Sequence, residues 1–280
     1  MVAFSSRLST HATVVLAETR KNLKLYLSYP IELFGFSFLP VLWMIPLLFQ
    51  GKALAGGLRS PAFAALTGTD HYLAYVMVGS LVSTYVFSSL YGMGGSIREE
   101  SYYGTLELLL GSPASRLAIM LGKALSDALV ATVMMVLQGA LYAAVLGARI
   151  PLEAWGLSLA AMASLAAGLY GLGLGLAGLT FRYKEIRGLT HTLNHLMFLV
   201  TPIRYPVEVS PFAHRVSVWI PVTYALAIIR GSGLLGRGAA DLWPSFARLI
   251  LLDVLFFLGG LGLFVALESS SKKSGVLGHY

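Results

Sequence analysis

His191 and His195 stand four residues apart in an apolar stretch, with Asn194 beside them. On a helix that spacing places two imidazoles one turn apart, close enough to share a metal ion. The pattern lacks the glutamate of HExxH and offers no third ligand, so hydrogen bonding to neighbouring helices is the expected role. Asp127 and Asp253 also fall in apolar runs, where an ionised group costs at least ~2.5–3.5 kcal/mol to insert. Lys123 precedes Asp127 by one helical turn, which favours a structural ion pair over a proton relay. Asp253 follows Arg248 by five residues and is expected to pair with a neighbouring helix or to reach the interface. The chain has no cysteine, so disulfide frameworks, thiolate metal sites and cysteine nucleophiles are all excluded. Nothing clusters the groups that a membrane-embedded hydrolase or transferase would need.

The elements that carry these residues belong in a membrane. Of the 280 residues, 56% are hydrophobic and only 12% charged, and mean hydropathy is +0.74, too apolar for a water-soluble domain. The 30 glycines follow no fixed period, which suits helix packing in lipid better than low complexity. A net charge of +7 reflects orientation signals and not nucleic-acid binding, because no basic stripe interleaved with aromatics occurs.

A hydrocarbon core of about 30 Å needs roughly 20 apolar residues per crossing. Six runs qualify: Ile31–Phe49, Tyr72–Ser96, Leu125–Leu146, Trp155–Phe181, Leu189–Ile203 and Phe246–Leu267. The fifth is short and is interrupted by Pro202 and Pro206, so a kinked or re-entrant segment is expected there. The fold class is therefore an all-α integral membrane protein with six transmembrane helices. Ser9–Tyr29 is no signal peptide, since Arg20, Lys21 and Lys24 follow no apolar core. Ala12, Leu16, Leu23 and Leu27 recur at helical spacing, which makes residues 1–30 an interfacial helix ending where Pro30 turns the chain inward. Lys and Arg are concentrated in residues 1–30, in 97–123 (Arg98, Arg116, Lys123), in 182–187 and at Lys272 and Lys273, and these segments are expected on the cytoplasmic side with both termini. Lys52, Arg59 and Arg149 fall in the short loops of the other side. Arg204, Arg215, Arg230, Arg237 and Arg248 lie in the long segment before the last span, which translocates largely regardless of charge.

The segment Ile97–Lys123 carries the most information. Ser96 and Glu99 have the spacing of a capping box, and Gly104 permits a bend before a short helix over Thr105–Leu110. Gly111 stops that helix, and Ser112 followed by Pro113 is expected to open the third span. A short helix held crosswise between two membrane helices is a lever arm. Leu106, Leu109 and Leu110 suit a groove on a partner, with Glu99, Glu100 and Glu107 offering carboxylates to its basic residues. A membrane-surface helix without a partner is the alternative.

Arg98-Glu99, Gly104-Thr105-Leu106-Glu107, Leu109-Leu110, Ser112-Pro113 and Gly122-Lys123 together resemble the signature of the type-2 ABC exporter permeases, the membrane subunits of ATP-driven exporters. Pro221-Val222-Thr223-Tyr224-Ala225 with Arg230 looks like that family's segment before the last span. The resemblance implies a single transmembrane domain over 1–280, with a coupling helix at 97–111, a six-span bundle over 31–267 and a cytoplasmic tail at 268–280. It implies that Glu99, Glu100, Gly104, Thr105, Leu106, Glu107, Leu109 and Leu110 meet the ATPase, and that short re-entrant helices follow span five. Replacing Glu107 and Leu109 together is then expected to uncouple hydrolysis from transport.

No GxxxxGK[ST] occurs, and Gly122-Lys123 is followed by Ala124, so the chain itself is expected to bind no cofactor and to perform no catalysis. The resemblance then implies that ATP and Mg²⁺ are bound by separate ATPase subunits, two of them beneath two permease chains, in the plasma or inner membrane. A hydrophobic drug, a lipid or a lipid-linked glycan all suit the resemblance as cargo. An ion-gradient-driven transporter or channel is the second reading, disfavoured because prolines interrupt span one in the first half (Pro40, Pro46) but the middle span of the second. Gly171 and Gly175 have GxxxG spacing in span four and are expected to pack against another helix, with a smooth wall for cargo as the alternative. Tyr72, Tyr75, Trp155, Trp219 and Trp243 fall near span ends as interfacial anchors.

Overall fold

The computed structural model describes residues 2–55, 59–146, 155–183 and 185–273. Arg149, Lys184 and residues 274–280 lie outside these, as do the side chains of Arg7, Lys52, Leu110, Trp155, Lys272 and Lys273. Most of the described chain is helical: α1 Val2–Ser28, α2 Pro30–Ala55, α3 Pro61–Thr67, α4 Tyr72–Phe87, α5 Gly94–Tyr102, α6 Leu106–Gly111, α7 Arg116–Leu146, α8 Trp155–Tyr183, α9 Arg187–Val200, α10 Pro211–Ser217, α11 Pro221–Gly233 and α12 Ala239–Lys273. An isolated antiparallel bridge joins Arg59 and His71.

Among the described residues, five stretches are long and apolar enough to cross a membrane: Leu33–Gly51, Tyr72–Tyr102, Arg116–Val145, Gly156–Tyr183 and Ala239–Ser271. The chain is a multi-pass membrane protein. The run expected as the fifth span is shorter than a crossing. Helix α9 has 14 residues, about 21 Å at 1.5 Å per residue, against a core of about 30 Å. It ends at Thr201, whose backbone is extended ahead of Pro202, the conformation that a following proline favours. A sixth crossing exists only if α10 and α11, bent by 94° to each other, are counted together.

The second long stretch is one rod built from three pieces. Helices α4 and α5 are joined by a π-helical turn, Ser88–Met93, with helical backbone on both sides. Its 31 residues extend about 46 Å, so roughly 15 Å projects beyond the hydrocarbon core. Ser96, expected as a cap, is buried inside this rod and donates its hydroxyl to the Met93 carbonyl at 2.7 Å. No capping box forms, because a helix that arrives uninterrupted from the membrane has no free N–H groups there to cap. The third span likewise opens later than expected. Ser112 closes α6 in an extended conformation ahead of Pro113, and Ser115 accepts from the Ala118 N–H where α7 begins.

Helix α8 forms the middle of the bundle, with Leu165, Leu169 and Leu174 fully buried. It lies along α12 with its glycines at the crossing. Gly168 faces Asp253, Gly171 faces the Phe257 and Gly260 backbone, and a methyl group on Gly175 would stand 3.1 Å from the Gly260 Cα. Two backbones meet here with no side chain between them, the close approach that small residues allow in lipid. At the end of the bundle opposite α6, buried Arg230 on α11 donates to the carbonyls of Pro202 at 2.6 Å, Ile203 at 3.2 Å and Tyr75 at 2.8 Å. It thereby ties the broken chain after α9 to the start of α4.

Helix α1 lies against α7, and polar contacts join the two. The Thr19 hydroxyl reaches the Gly122 carbonyl at 3.1 Å, Asn22 is buried, and the Tyr26 hydroxyl donates to Asp127 at 3.1 Å. Leu16 and Leu27 point away, 65% and 71% exposed. Arg20 and Lys24 are exposed on the same side, and apolar and basic side chains together suit a membrane surface.

Candidate functional site

Gly104 makes the corner between α5 and α6. Its φ of 71° lies in the left-handed region that only glycine enters at little cost, and open space surrounds it. The corner is held by Glu100. Its carboxylate accepts from the Thr105 hydroxyl at 2.5 Å, and its carbonyl accepts the Thr105 N–H at 2.9 Å. The same carboxylate receives Lys21 of α1 at 2.8 Å, and Lys21 also pairs with Glu18 at 2.7 Å. Partial burial of Lys21 opposes its charge, but the hydrogen bonds to Glu100 and Glu18 outweigh this and raise its pKa above the ordinary lysine value. Glu100 is thus engaged within the chain and offers no free carboxylate.

Around the corner stand two further clamps. Arg98 pairs with Glu185 in the loop after α8, which fastens the projecting end of α5 to the end of another long helix. Lys123 pairs with Asp127 at 3.0 Å, lies 3.6 Å from Glu99, and donates to the Tyr26 hydroxyl at 3.3 Å. Burial first, then the Asp127 carboxylate, push the Tyr26 phenol up to about 12. Helix α1, the α4–α5 rod and α7 therefore meet at one hydrogen-bonded knot.

The leucines of α6 divide differently from the expectation. Leu106 is 4% exposed and belongs to the main core, and Leu109 packs partly buried against that core. Leu108, which the sequence did not single out, is 77% exposed, and Glu107 beside it faces solvent. The side chain of Leu110 lies outside the described residues. Tyr102 and Tyr103, at the corner, are also exposed and stack edge to face with ring centroids 5.8 Å apart. Leu106 anchors the short helix, and Tyr102, Tyr103, Glu107 and Leu108 form the surface it presents. A clue was present in the sequence, since adjacent leucines on a helix sit about 100° apart and cannot all face one side.

The remaining candidates have structural surroundings. Among the described residues no group of three or more His, Cys, Asp or Glu could hold a metal ion. His191 meets the Tyr91 hydroxyl at 2.7 Å, and the His195 ring bonds its own helix at the His191 carbonyl, 2.8 Å away. Asp253 accepts from Ser164 on α8 at 2.6 Å, and Arg248 lies over the Tyr224 ring instead of beside Asp253.

The sequence profile of the ABC-2 type transporter family matches residues 62–234, more than half of the chain, and takes in the α4–α5 rod, the Gly104 corner, α6 and the Arg230 clamp. The chain belongs to the ABC-2 type transporter family. No curated protein matches it closely. In this ABC-2 chain the matched region includes both the α6 corner at one end of the bundle and the bent pair α10–α11. The α1 helix, with Lys21 and Tyr26, lies outside the match and yet supplies partners to Glu100 and Asp127.

Proposed function

We propose that this ABC-2 chain is the membrane-spanning permease of an exporter, and that α6 is the coupling helix through which separate ATPase subunits drive it. The observation that carries this reading is the rigid mounting of an exposed Leu108/Glu107 surface. The short helix is set by a glycine corner, a Glu100 bracket and a buried Leu106 on a rod that outreaches the hydrocarbon core. A leucine and a carboxylate held outward together at the tip of a projecting rod suit a helix that seats in a cleft.

ATP-driven approach of two ATPase subunits would press two such helices together and tilt the long rods. Shifting a two-state equilibrium from 1:99 to 99:1 takes about 5.5 kcal/mol of differential binding, so the mounting must not yield under that load. The knot of Lys21, Glu18, Glu100, Thr105, Glu99, Lys123 and Tyr26 supplies the stiffness and makes α1 part of the transmission. A second permease chain completes the path, ATP and Mg²⁺ stay on the ATPase, and both termini with the α6 corner face the cytoplasm. The cargo is hydrophobic or amphipathic.

The absence of cysteine permits a clean test. Leu108→Cys provides a single reactive thiol, which should crosslink to cysteines introduced around a cleft of the cognate ATPase, with a yield that changes when ATP is added. Leu106→Cys should give no crosslink. Labelling of Leu108→Cys only from the outside of intact cells would place α6 on the wrong side and refute the reading.

A further inference from the structure

In the half of the bundle that holds the Arg230 clamp, α2 and the chain after α9 enclose an open trough of about 490 Å³, lined by Leu39, Leu42, Trp43, Pro46, Leu47 and Arg204. Five of these six side chains are apolar. The sixth, Arg204, is held between rings, its guanidinium carbon 4.5 Å from the centroid of Phe198 and 5.9 Å from that of Trp43. Among the described residues no carboxylate lies within ion-pairing distance of it and no hydrogen bond reaches its guanidinium. Half-burial pulls its pKa below the ordinary arginine value.

A guanidinium stacked on aromatic faces keeps its edge N–H groups free, and five donors without acceptors call for an anion of fork-like geometry. Phosphate meets that demand with two parallel hydrogen bonds. The walls limit the source of the phosphate, because a trough lined by leucine, proline and tryptophan gains nothing from a free hydrated ion and gains much from hydrocarbon. We propose that this trough is a binding site for an anionic phospholipid, with the phosphate on Arg204 and an acyl chain along Leu39, Leu42 and Leu47 beside Trp43. The site does not depend on the transport reading, and neither its occupancy nor its test requires an ATPase.

Trp43 lines the trough and reports on it. The full chain is reconstituted in phosphatidylcholine vesicles in which a fixed fraction of lipid carries brominated acyl chains, on either phosphatidylglycerol or phosphatidylcholine. The Trp43 contribution to fluorescence is taken as the difference from Trp43→Phe. Brominated phosphatidylglycerol should quench Trp43 more strongly, with roughly fivefold preference, the effect of one basic residue at an anionic surface. Arg204→Gln should level the two lipids, and Arg204→Lys, which keeps the charge, should retain part of the preference. Equal quenching by both lipids in the unsubstituted chain overturns the proposal. Abolition of the preference by inorganic phosphate in the buffer also overturns it, in favour of a free-anion site. No quenching of Trp43 by either lipid overturns it as well, and points to protein, such as a second copy, over the trough.

Discussion

Truncating Leu108 and Leu106 separates a partner contact from a structural one. Leu108 is 77% exposed, so Leu108→Ala removes no packing within the chain and should change thermal stability by no more than about 0.5 kcal/mol. If the residue seats in an ATPase cleft, the substitution deletes three carbons from that contact. At about 0.8 kcal/mol per methylene this is about 2.4 kcal/mol, or roughly a fiftyfold loss of affinity at 1.4 kcal/mol per decade. Leu106 is 4% exposed within the main core, so Leu106→Ala should cost about 2–5 kcal/mol of folding stability. Its effect on affinity would come only through displacement of α6. The assay pairs calorimetric unfolding in lipid nanodiscs with titration of the same nanodiscs by the purified cognate ATPase. Unchanged ATPase affinity in Leu108→Ala would refute the assignment of α6 as the seated helix. Loss of affinity in Leu106→Ala at full thermal stability would show that the wrong face had been chosen.

The α8–α12 crossing predicts a sharp difference between glycines. Gly171→Ala would drive its methyl group into the Phe257 backbone, whereas Gly262→Ala meets open space; the first should lower the unfolding temperature by the equivalent of about 1–3 kcal/mol and the second should not lower it, since alanine is the better helix former. Arg230→Lys should lose at least one of the three carbonyl contacts at Pro202, Ile203 and Tyr75, each about 1.5–3 kcal/mol for a charged donor. Amide exchange should then quicken over residues 201–209 before it quickens in α8, and uniform exchange across both would count against a local clamp.

Hydropathy alone was enough to make this a helical membrane protein, because a bilayer leaves unpaired backbone groups no partner and a run of about 20 apolar residues has few other uses. Local chemistry was enough for the corner as well. Gly104 in a left-handed conformation and a short helix stopped at Gly111 depend on residues close in sequence. Position along the chain also disclosed the Lys123–Asp127 pair, since one helical turn brings the two together wherever the helix goes. The π turn at Ser88–Met93 left no comparable local mark.

Tertiary placement decided the rest. Glu99, Glu100 and Glu107 look equivalent in the sequence, and it is the arrival of Lys21, 79 residues away, beside the local Thr105 hydroxyl that engages Glu100 inside the protein. Leu106, Leu108 and Leu109 have the same hydrophobicity, and which of them faces outward depends on the angle at which α6 meets the bundle. The length of α9 was also undecidable from apolarity, because its polar residues Thr190 and Asn194 are buried by neighbouring helices and the break after it is stabilised by Arg230 from α11. Hydrophobic patterning reports what a segment avoids, which is water. Its partner in place of water is set by helices distant in sequence.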